Sequence, residues 1–331
     1  MKRYSFAIAT ICLILCACVT ALAVLASLYG WSWSLEILSH FQAQYFMVAI
    51  ALAIIALFFR ESRFFLATVF LCAVLSAQLV PWYSLGPLTN NSPTEAANYK
   101  VISANLWVHN TNPERVLKFV REEQPDLAVF MEINSAMEQQ LETLNDILPY
   151  SSSRLTPYRL GTAIYSKTPL SNVQLQMFDT RSASNMTASV EAGGQTISVV
   201  AIHPFPPVSS ELFLDRNRAF SAVGDYIKSQ SNPVILAGDF NTTMWSPYYR
   251  RLARITGLKN SRYGFGILPT WPSDLAYLRL PQLNALTKLA QIPIDHCLAS
   301  PSLKVVGMHT GPNVGSDHLP IAIDFQIDSA T

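Results

Sequence analysis

The stretch "VILAGDFNTT", residues 234 to 243, runs from an apolar segment directly into a pair of polar side chains. Val234 to Ala237 have the composition of a buried strand, and Gly238 marks the turn that ends it. Asp239 and Asn241 then follow at the carboxyl end of that strand. Both residue types are common in turns, so the stretch alone allows two interpretations: a plain strand end, or polar groups held where a substrate can meet them.

The apolar residues of the chain are concentrated in its N-terminal quarter. The 331 residues are 50% hydrophobic and only 14% charged, which indicates a membrane portion. Three apolar runs, at about 6–29, 43–59 and 64–82, predict three transmembrane helices in a membrane domain over residues 1–84. The alternatives are a cleaved signal peptide for the first run and a buried pair of soluble helices for the other two.

The basic residues of this region predict its orientation. Lys2 and Arg3 precede the first run, Arg60 and Arg63 separate the second from the third, and residues 30–42 contain neither Lys nor Arg. Because Lys and Arg concentrate in cytoplasmic loops, the N-terminus is expected in the cytoplasm. Three crossings then predict a multi-pass protein of the inner or cell membrane, with the rest of the chain on the periplasmic or extracellular side. The lipid bilayer is its predicted partner, and no protein partner is predicted.

The remainder of the chain is predicted to be a linker followed by one α/β domain. Residues 85–98 are rich in Pro, Asn, Ser and Thr, which is typical of a linker. Predicted strands and helices alternate over residues 99–327, with several consecutive strands, which favours an α/β sandwich of two packed sheets flanked by helices. Residues 96–331 carry 19 basic and 19 acidic residues, so the basic excess of a nonspecific nucleic-acid binder is missing.

Polar side chains recur where the predicted strands begin or end. They are Asn105, Glu132, His203, Asp239, Asn241, Asp295, Asp317 and His318. Taken singly, most could be turn residues or could pair with a neighbour, but a carboxylate in a buried strand such as Glu132 needs a partner or a metal. If these strand ends share one edge of the sandwich, the side chains converge. Three other histidines, His40, His109 and His309, are predicted to lie on the surface or in loops.

Together these side chains form the inventory that phosphoester hydrolysis needs. Carboxylate and amide oxygens suit Mg²⁺ or Mn²⁺ better than zinc. A metal and an imidazole can offset the charge that builds up on phosphoryl oxygens, and a carboxylate can orient or deprotonate an attacking water. The set is costly to desolvate for structure alone, which favours a functional interpretation.

The order of "ANLW", "FMEI", "GTAIYSK", "AIHP", "GDFN", "IDHCLAS" and "GSDHLPI" resembles the endonuclease/exonuclease/phosphatase (DNase I-like) superfamily. The resemblance covers about residues 98–327 and implies a four-layered α/β sandwich with a divalent-metal site, for Mg²⁺ or Mn²⁺, at one edge. The apolar N-terminal region is similar to that of membrane-anchored bacterial members. Met131 and His296 depart from the superfamily pattern, which often has Gln before the metal glutamate and an aromatic residue after the second aspartate.

The resemblance also implies a role for each polar residue. Glu132 would be the main metal ligand, with Asn105 beside it and Asp317 contributing to the same site. The catalytic set would be Asp239, Asn241, His203, His318 and Asp295. In it, the aspartate and asparagine of "GDFN" prepare the water, both histidines contact the phosphate, and Asp295 orients His318.

The sequence therefore predicts a membrane-anchored, divalent-metal-dependent phosphoesterase. Its substrate would be a phosphodiester, either of nucleic acid or of a phospholipid headgroup. The alternatives are a phosphomonoesterase acting on a phosphoinositide-like substrate and a non-catalytic binding module on the same scaffold. Residues 263–284 are rich in Leu, Tyr and Trp, and either ordinary packing or contact with lipid explains them.

Overall fold

The structure, a computed structural model, describes residues 2–59, 62–83, 97–156, 159–178, 185–274 and 284–328. The predicted linker, 85–98, lies outside the described residues apart from its last two positions. Arg60, which supports the predicted orientation, also lies outside them, as do residues 275–283 of the Leu- and Tyr-rich region.

The chain begins with two long apolar helices. The first, α1 (Lys2–Tyr29), is followed by α2 (Trp33–Leu38), a 3₁₀ turn (Ser39–Phe41) and α3 (Gln42–Phe58). Tyr4–Tyr29 and Trp33–Phe58, the latter an almost continuous helix, are each 26 residues long and apolar enough to cross a membrane by length and composition. In the part of the chain that is described, these are the two helices that reach that length.

The third predicted span, 64–82, is wrong as a single transmembrane helix. The structure has α4 (Ser62–Ser76), a turn, and the short α5 (Val80–Tyr83) in its place. The 15 residues of α4 rise about 22 Å, less than the roughly 30 Å of a bilayer core. Pro81 explains the break, because its ring would clash with the carbonyl of Ala77 one turn earlier and its nitrogen cannot donate a hydrogen bond to that carbonyl. The helix α4 packs against both α1 and α3.

The rest of the chain forms two six-stranded sheets. The strands of the first sheet are β1 (Tyr99–Asn105), β2 (Leu127–Ile133), β3 (Tyr150–Thr156), β4 (Arg159–Ser166), β11 (Lys304–Thr310) and β12 (Ile321–Gln326). The strands of the second are β5 (Ser171–Gln176), β6 (Asn185–Ala192), β7 (Gln195–Ile202), β8 (Val234–Asp239), β9 (Lys259–Asn260) and β10 (Asp295–Ala299). Their spatial orders are β11-β12-β1-β2-β4-β3 and β5-β6-β7-β8-β10-β9.

Helices cover the outer face of each sheet. The described helices that follow α5 in the chain are α6 (Pro113–Glu123), α7 (Ser135–Leu141), α8 (Ser210–Lys228), α9 (Pro247–Thr256) and α10 (Asn284–Ala290). One apolar core lies between the sheets, a second joins the first sheet to α6 and α7, and a third joins the second sheet to α8 and α9. Strands such as "VILA" are apolar on both faces because each sheet is covered on both sides. The predicted α/β sandwich of two packed sheets is confirmed.

The pairing of the strands brings the predicted polar residues to one edge. The parallel pairs β1–β2 and β7–β8 end there, while β10 and β12 run antiparallel to their neighbours and begin there. Asp295 pairs directly with Asp239 across β10 and β8, and Asn105 pairs with Met131 across β1 and β2.

Gly238 is the position in β8 where no side chain fits. Its φ is +147°, and a Cβ added there would lie 1.9 Å from the carbonyl oxygen of Ile202 on the neighbouring strand. The close approach of two backbones therefore requires glycine immediately before Asp239.

We predict that Gly238→Ala lowers the stability of the purified full-length protein by about 3 kcal/mol, because the added methyl group must push β7 and β8 apart. This corresponds to a fall in Tm of roughly 6–12 °C for a domain of this size. The matched control is Gly257→Ala, where φ is +71° and no atom lies within 4 Å of the added Cβ. The control should lose only about 1 kcal/mol, and equal losses in the two variants would contradict the steric argument.

Candidate active site

A cavity of about 700 Å³ opens at the edge where the strand ends meet. Six of the eight predicted residues line it: Glu132, His203, Asp239, Asn241, Asp317 and His318. The other two, Asn105 and Asp295, are almost fully buried and hydrogen-bond to members of that set. The fold thus brings all eight residues together.

Asn105 holds two carboxylates beside one another. Its amide nitrogen donates to Oε1 of Glu132 at 3.0 Å and to Oδ2 of Asp239 at 3.1 Å, while its oxygen accepts from the backbone nitrogen of Trp107 at 3.0 Å. Asn105 therefore orients the carboxylate of Glu132. The side-chain oxygen of Asn105 is already occupied by the backbone nitrogen of Trp107.

Glu132 itself sits on an irregular backbone. Its φ is +54°, and a bulge between Met131 and Ile133 interrupts the pairing of β2 with β4. Positive φ is uncommon outside glycine, and such strain is typical of functional sites. The bulge lets Glu132 reach the cavity, while Met131 and Ile133 on either side of it stay buried in the apolar cores.

Asp239 lies at the centre of the polar cluster. Its Oδ1 accepts from the backbone nitrogen of Asn241 at 2.8 Å, and its Oδ2 lies 3.6 Å from Nε2 of His203 and 3.7 Å from Nε2 of His318. Burial raises its pKa to about 6, and the nearby Asp295 adds to the rise, whereas the two histidines oppose it. Asn241 has a φ of +50°, and its amide donates to the carbonyl of Pro204 at 3.0 Å.

His318 is held as an imidazolium. Burial alone would lower its pKa, but the carboxylates of Asp295 and Asp239 outweigh that effect and raise the pKa to about 10. Its Nδ1 donates to Oδ2 of Asp295 at 2.8 Å, so the other ring nitrogen is the one near Asp239. The hydroxyl of Ser316 accepts from the backbone nitrogen of His318 and donates to the carbonyl of Asn105, which fixes the loop that carries His318.

His203 and Asp317 are the remaining members of the predicted polar set. His203 lies at the end of β7, with Nε2 at 3.5 Å from Oε1 of Glu132. The indole nitrogen of Trp271 donates to Oδ2 of Asp317 at 3.4 Å. Burial raises the pKa of Asp317, to which the charge of Glu132 adds and which the imidazolium of His318 opposes.

The donor set fits a divalent cation. Glu132, Asp239 and Asp317 place three carboxylates on one cavity, and no Lys or Arg is among its described lining residues. Oxygen ligands with unbalanced negative charge are what Mg²⁺ and Mn²⁺ prefer. Ligand atoms of Asp239, Asp295 and His318 also lie within 4.8 Å of one another. However, Asp295 does not line the cavity and its Oδ2 is committed to His318, so the cavity-facing carboxylates are the better ligands.

The unusual His296 takes the place of an aromatic residue. Its buried ring packs against Phe240 and Tyr249, with centroid distances of 5.1 and 4.7 Å. One ring nitrogen lies 2.9 Å from the carbonyl of Thr242, and the other lies 3.0 Å from Nη1 of Arg262. Burial and the charge of Arg262 hold the pKa of His296 well below its usual range, so the ring is neutral and accepts a hydrogen bond from the guanidinium.

A buried ion pair, which the sequence did not predict, joins the N-terminal helices to the loop after β8, residues 240–246. Nη2 of Arg216, on α8, lies 3.0 Å from Oε1 of Glu36, on α2, and both side chains are fully buried. Nη1 of the same guanidinium donates to the carbonyl oxygen of Asn241 at 3.0 Å, and the hydroxyl of Thr242 donates to Glu36 at 3.0 Å.

His40 belongs to the same contact, which corrects its prediction as a surface or loop residue. The side chain is buried, with Nδ1 at 3.1 Å from the hydroxyl of Thr243 and Nε2 at 3.4 Å from Oε2 of Glu36. Glu36 is the one acidic residue between the first two apolar runs, which is the signal that could have pointed to this contact.

The family whose model matches this chain covers most of the sandwich and none of the N-terminal helices. The Endonuclease/Exonuclease/phosphatase family profile matches residues 102–318. No curated protein sequence matches the chain significantly.

Several solved structures share the fold. Truncated TDP2 from Caenorhabditis elegans is 17% identical with a TM-score of 0.54, over 69% of this chain and 96% of that one. An endonuclease/exonuclease/phosphatase from Beutenbergia cavernae is 19% identical with a TM-score of 0.53, over 70% and 72%. Sphingomyelinase C from Streptomyces griseocarneus is 17% identical with a TM-score of 0.50, over 69% and 99%. Identities this low show a shared fold alone.

We predict that Glu36→Gln lowers the stability of the full-length protein by about 3 kcal/mol, because it leaves the buried Arg216 guanidinium without its counter-charge. Thermal unfolding in detergent should show a fall in Tm of roughly 6–12 °C.

The double variant Glu36→Gln/Arg216→Met is the control for this prediction. Because it removes both charges, it should recover at least half of the lost stability. Additive losses in the double variant would show that the two side chains do not act as a pair.

Proposed function

The chain belongs to the endonuclease/exonuclease/phosphatase family, and we propose that it is a membrane-anchored phosphodiesterase that depends on a divalent metal, Mg²⁺ or Mn²⁺. The observation that carries the proposal is one cavity on which the carboxylates of Glu132, Asp239 and Asp317 converge with His203 and His318, and in which a charged His318 lies beside Asp239. Strongly perturbed pKa values on groups that share a cleft are typical of catalytic sites.

The anchoring rests on the N-terminal helices and on where the sandwich contacts them. Through Thr242 and Thr243, Glu36 and His40 contact the loop after β8 from the segment between α1 and α3. That segment contains neither Lys nor Arg, whereas Lys2 and Arg3 lie at the other end of α1. By the charge rule for membrane proteins, the sandwich then works on the periplasmic or extracellular side. The helix α4, although short, returns the chain from the end of α3 toward that same side.

The metal would be held by Glu132 and Asp317, with Asn105 fixing the orientation of Glu132 through its amide. Bound there, a divalent cation would offset the negative charge that develops on the phosphoryl oxygens. Asp295 would help indirectly to offset the charge on the phosphoryl oxygens, because it keeps the imidazole of His318 protonated.

The chain's own groups supply the remaining steps. Asp239, with a pKa of about 6, accepts a proton from water as the water oxygen bonds to phosphorus. The imidazolium of His318 donates a hydrogen bond to a phosphoryl oxygen, and His203, with its Nε2 3.6 Å from Oδ2 of Asp239, contacts the same phosphate. The ester P–O bond breaks, and the leaving oxygen takes the electron pair and then a proton from solvent. The products are an alcohol and a phosphomonoester.

We predict that Asp239→Asn reduces the Mg²⁺- or Mn²⁺-dependent hydrolysis of bis(p-nitrophenyl) phosphate about 10³-fold, because an amide cannot accept the proton. The assay is the release of p-nitrophenolate by the purified full-length protein. The control is Asp225→Asn, which changes an exposed carboxylate on α8 and should leave the rate unchanged. A rate within twofold of wild type for Asp239→Asn would remove Asp239 from the mechanism.

A further inference from the structure

The catalytic cavity is apolar over much of its lining. Besides the polar cluster, its walls include Phe205, Val208 and Ile292 from the sandwich. They also include Ile37 and Phe41, which lie in the segment between α1 and α3. A part of the chain that the family profile does not cover therefore shares the cavity with the catalytic residues.

This N-terminal wall is fixed in place by directional bonds. Next to Ile37, the carboxylate of Glu36 forms its buried ion pair with Arg216 at 3.0 Å. The indole nitrogen of Trp33 donates to the carbonyl of Pro207 at 2.6 Å. Gln44, one turn beyond Phe41, donates to the carbonyl of Gln291 at 3.0 Å, beside the lining residue Ile292. These contacts fix the wall against two parts of the cavity lining, one at Pro207 and the other beside Ile292.

We propose that the substrate is an amphiphilic phosphodiester of the bilayer, whose aliphatic part lies against Ile37 and Phe41 while its phosphate reaches the carboxylate cluster. This inference rests on the proposed function. The wall belongs to the N-terminal part of Trp33–Phe58, one of the two helices of membrane-spanning length, so a cavity that includes it adjoins the bilayer surface. Apolar lining with a few convergent polar groups is also the usual character of a site for a small amphiphile.

Charge favours a lipid over a nucleic acid. A nucleic acid is bound mainly through Lys and Arg contacts to its phosphates. The described lining residues include neither, and the carboxylates there would repel a polyanion beyond the single phosphate that a metal can offset. A lipid phosphodiester brings one phosphate and gains affinity from its chains.

The test measures kcat/KM for methyl, butyl and octyl p-nitrophenyl phosphate with Mn²⁺, on full-length protein in amphipol. Each buried methylene is worth roughly a fourfold gain, so wild type should prefer the octyl ester to the methyl ester by at least about tenfold. Phe41→Ser and Ile37→Ser should each reduce that ratio severalfold. Val173→Ser, which changes an exposed residue on β5, should leave it at the wild-type value.

The possible results separate this inference from the proposed function. If wild type cleaves none of the three esters, the proposed function fails. If it cleaves all three equally, or if Phe41→Ser keeps the wild-type ratio, the function stands and the apolar-substrate inference is overturned. A higher kcat/KM for a single-stranded oligonucleotide than for the octyl ester also overturns it. Should Phe41→Ser not fold, Phe41→Leu keeps the wall apolar and is expected to give an intermediate ratio.

A vesicle assay tests the bilayer as the source of the substrate. Wild type should release phosphorus-containing headgroups from vesicles of phosphatidylcholine and phosphatidylglycerol at equal amounts. Phe41→Ser should do so severalfold more slowly. Cleavage of the octyl ester without any release from these vesicles would overturn the assignment to a bilayer lipid.

Discussion

Two carboxylates lie directly opposite each other on β8 and β10, and the rest of the site is arranged around them. Asp239 and Asp295 are register partners, a placement that would be repulsive without a cation between them. The imidazolium of His318 supplies that cation, because it hydrogen-bonds Asp295 and lies near Asp239. Asn105, at the end of β1 in the facing sheet, and His203, just after β7, also contact Asp239, so the polar side chains of this edge are grouped around one buried carboxylate.

The second constraint is the Arg216 guanidinium, which contacts three elements at once. It pairs with Glu36 of the N-terminal segment, hydrogen-bonds Asn217 beside it on α8, and donates to the carbonyl of Asn241 in the loop after β8. The loop that carries Asn241 thus depends on a residue of the N-terminal segment. This link gives the helices a role in shaping the site in addition to the anchoring that we propose for them.

Much of the fold could be predicted from the sequence because the sheets are covered on both faces. Runs such as "VILA" and "LAVFM" are then apolar throughout, and a polar residue at their ends stands out. The same contrast identified the eight residues that the structure brings to one edge. Their catalytic and metal-binding roles remain predictions, which the variants are designed to test.

Other features were beyond the reach of sequence reasoning. The contact of Glu36 with Arg216 joins positions 180 residues apart, and local pattern says nothing about such a pair. The third span was predicted from hydropathy alone, although Pro81 interrupts the helix within it. His40 looked like a loop residue because Thr243, which packs against it, lies 203 positions further along the chain.

The most direct measurement is the hydrolysis of bis(p-nitrophenyl) phosphate by the purified full-length protein after chelation, with Mg²⁺ or Mn²⁺ then restored. We predict negligible hydrolysis in the presence of chelator, and a hydrolysis rate that rises at least about 10²-fold as either metal saturates the site. Metal binding by calorimetry without hydrolysis would point to a binding module. The absence of both metal binding and hydrolysis would contradict the proposal that the protein is a metal-dependent phosphodiesterase.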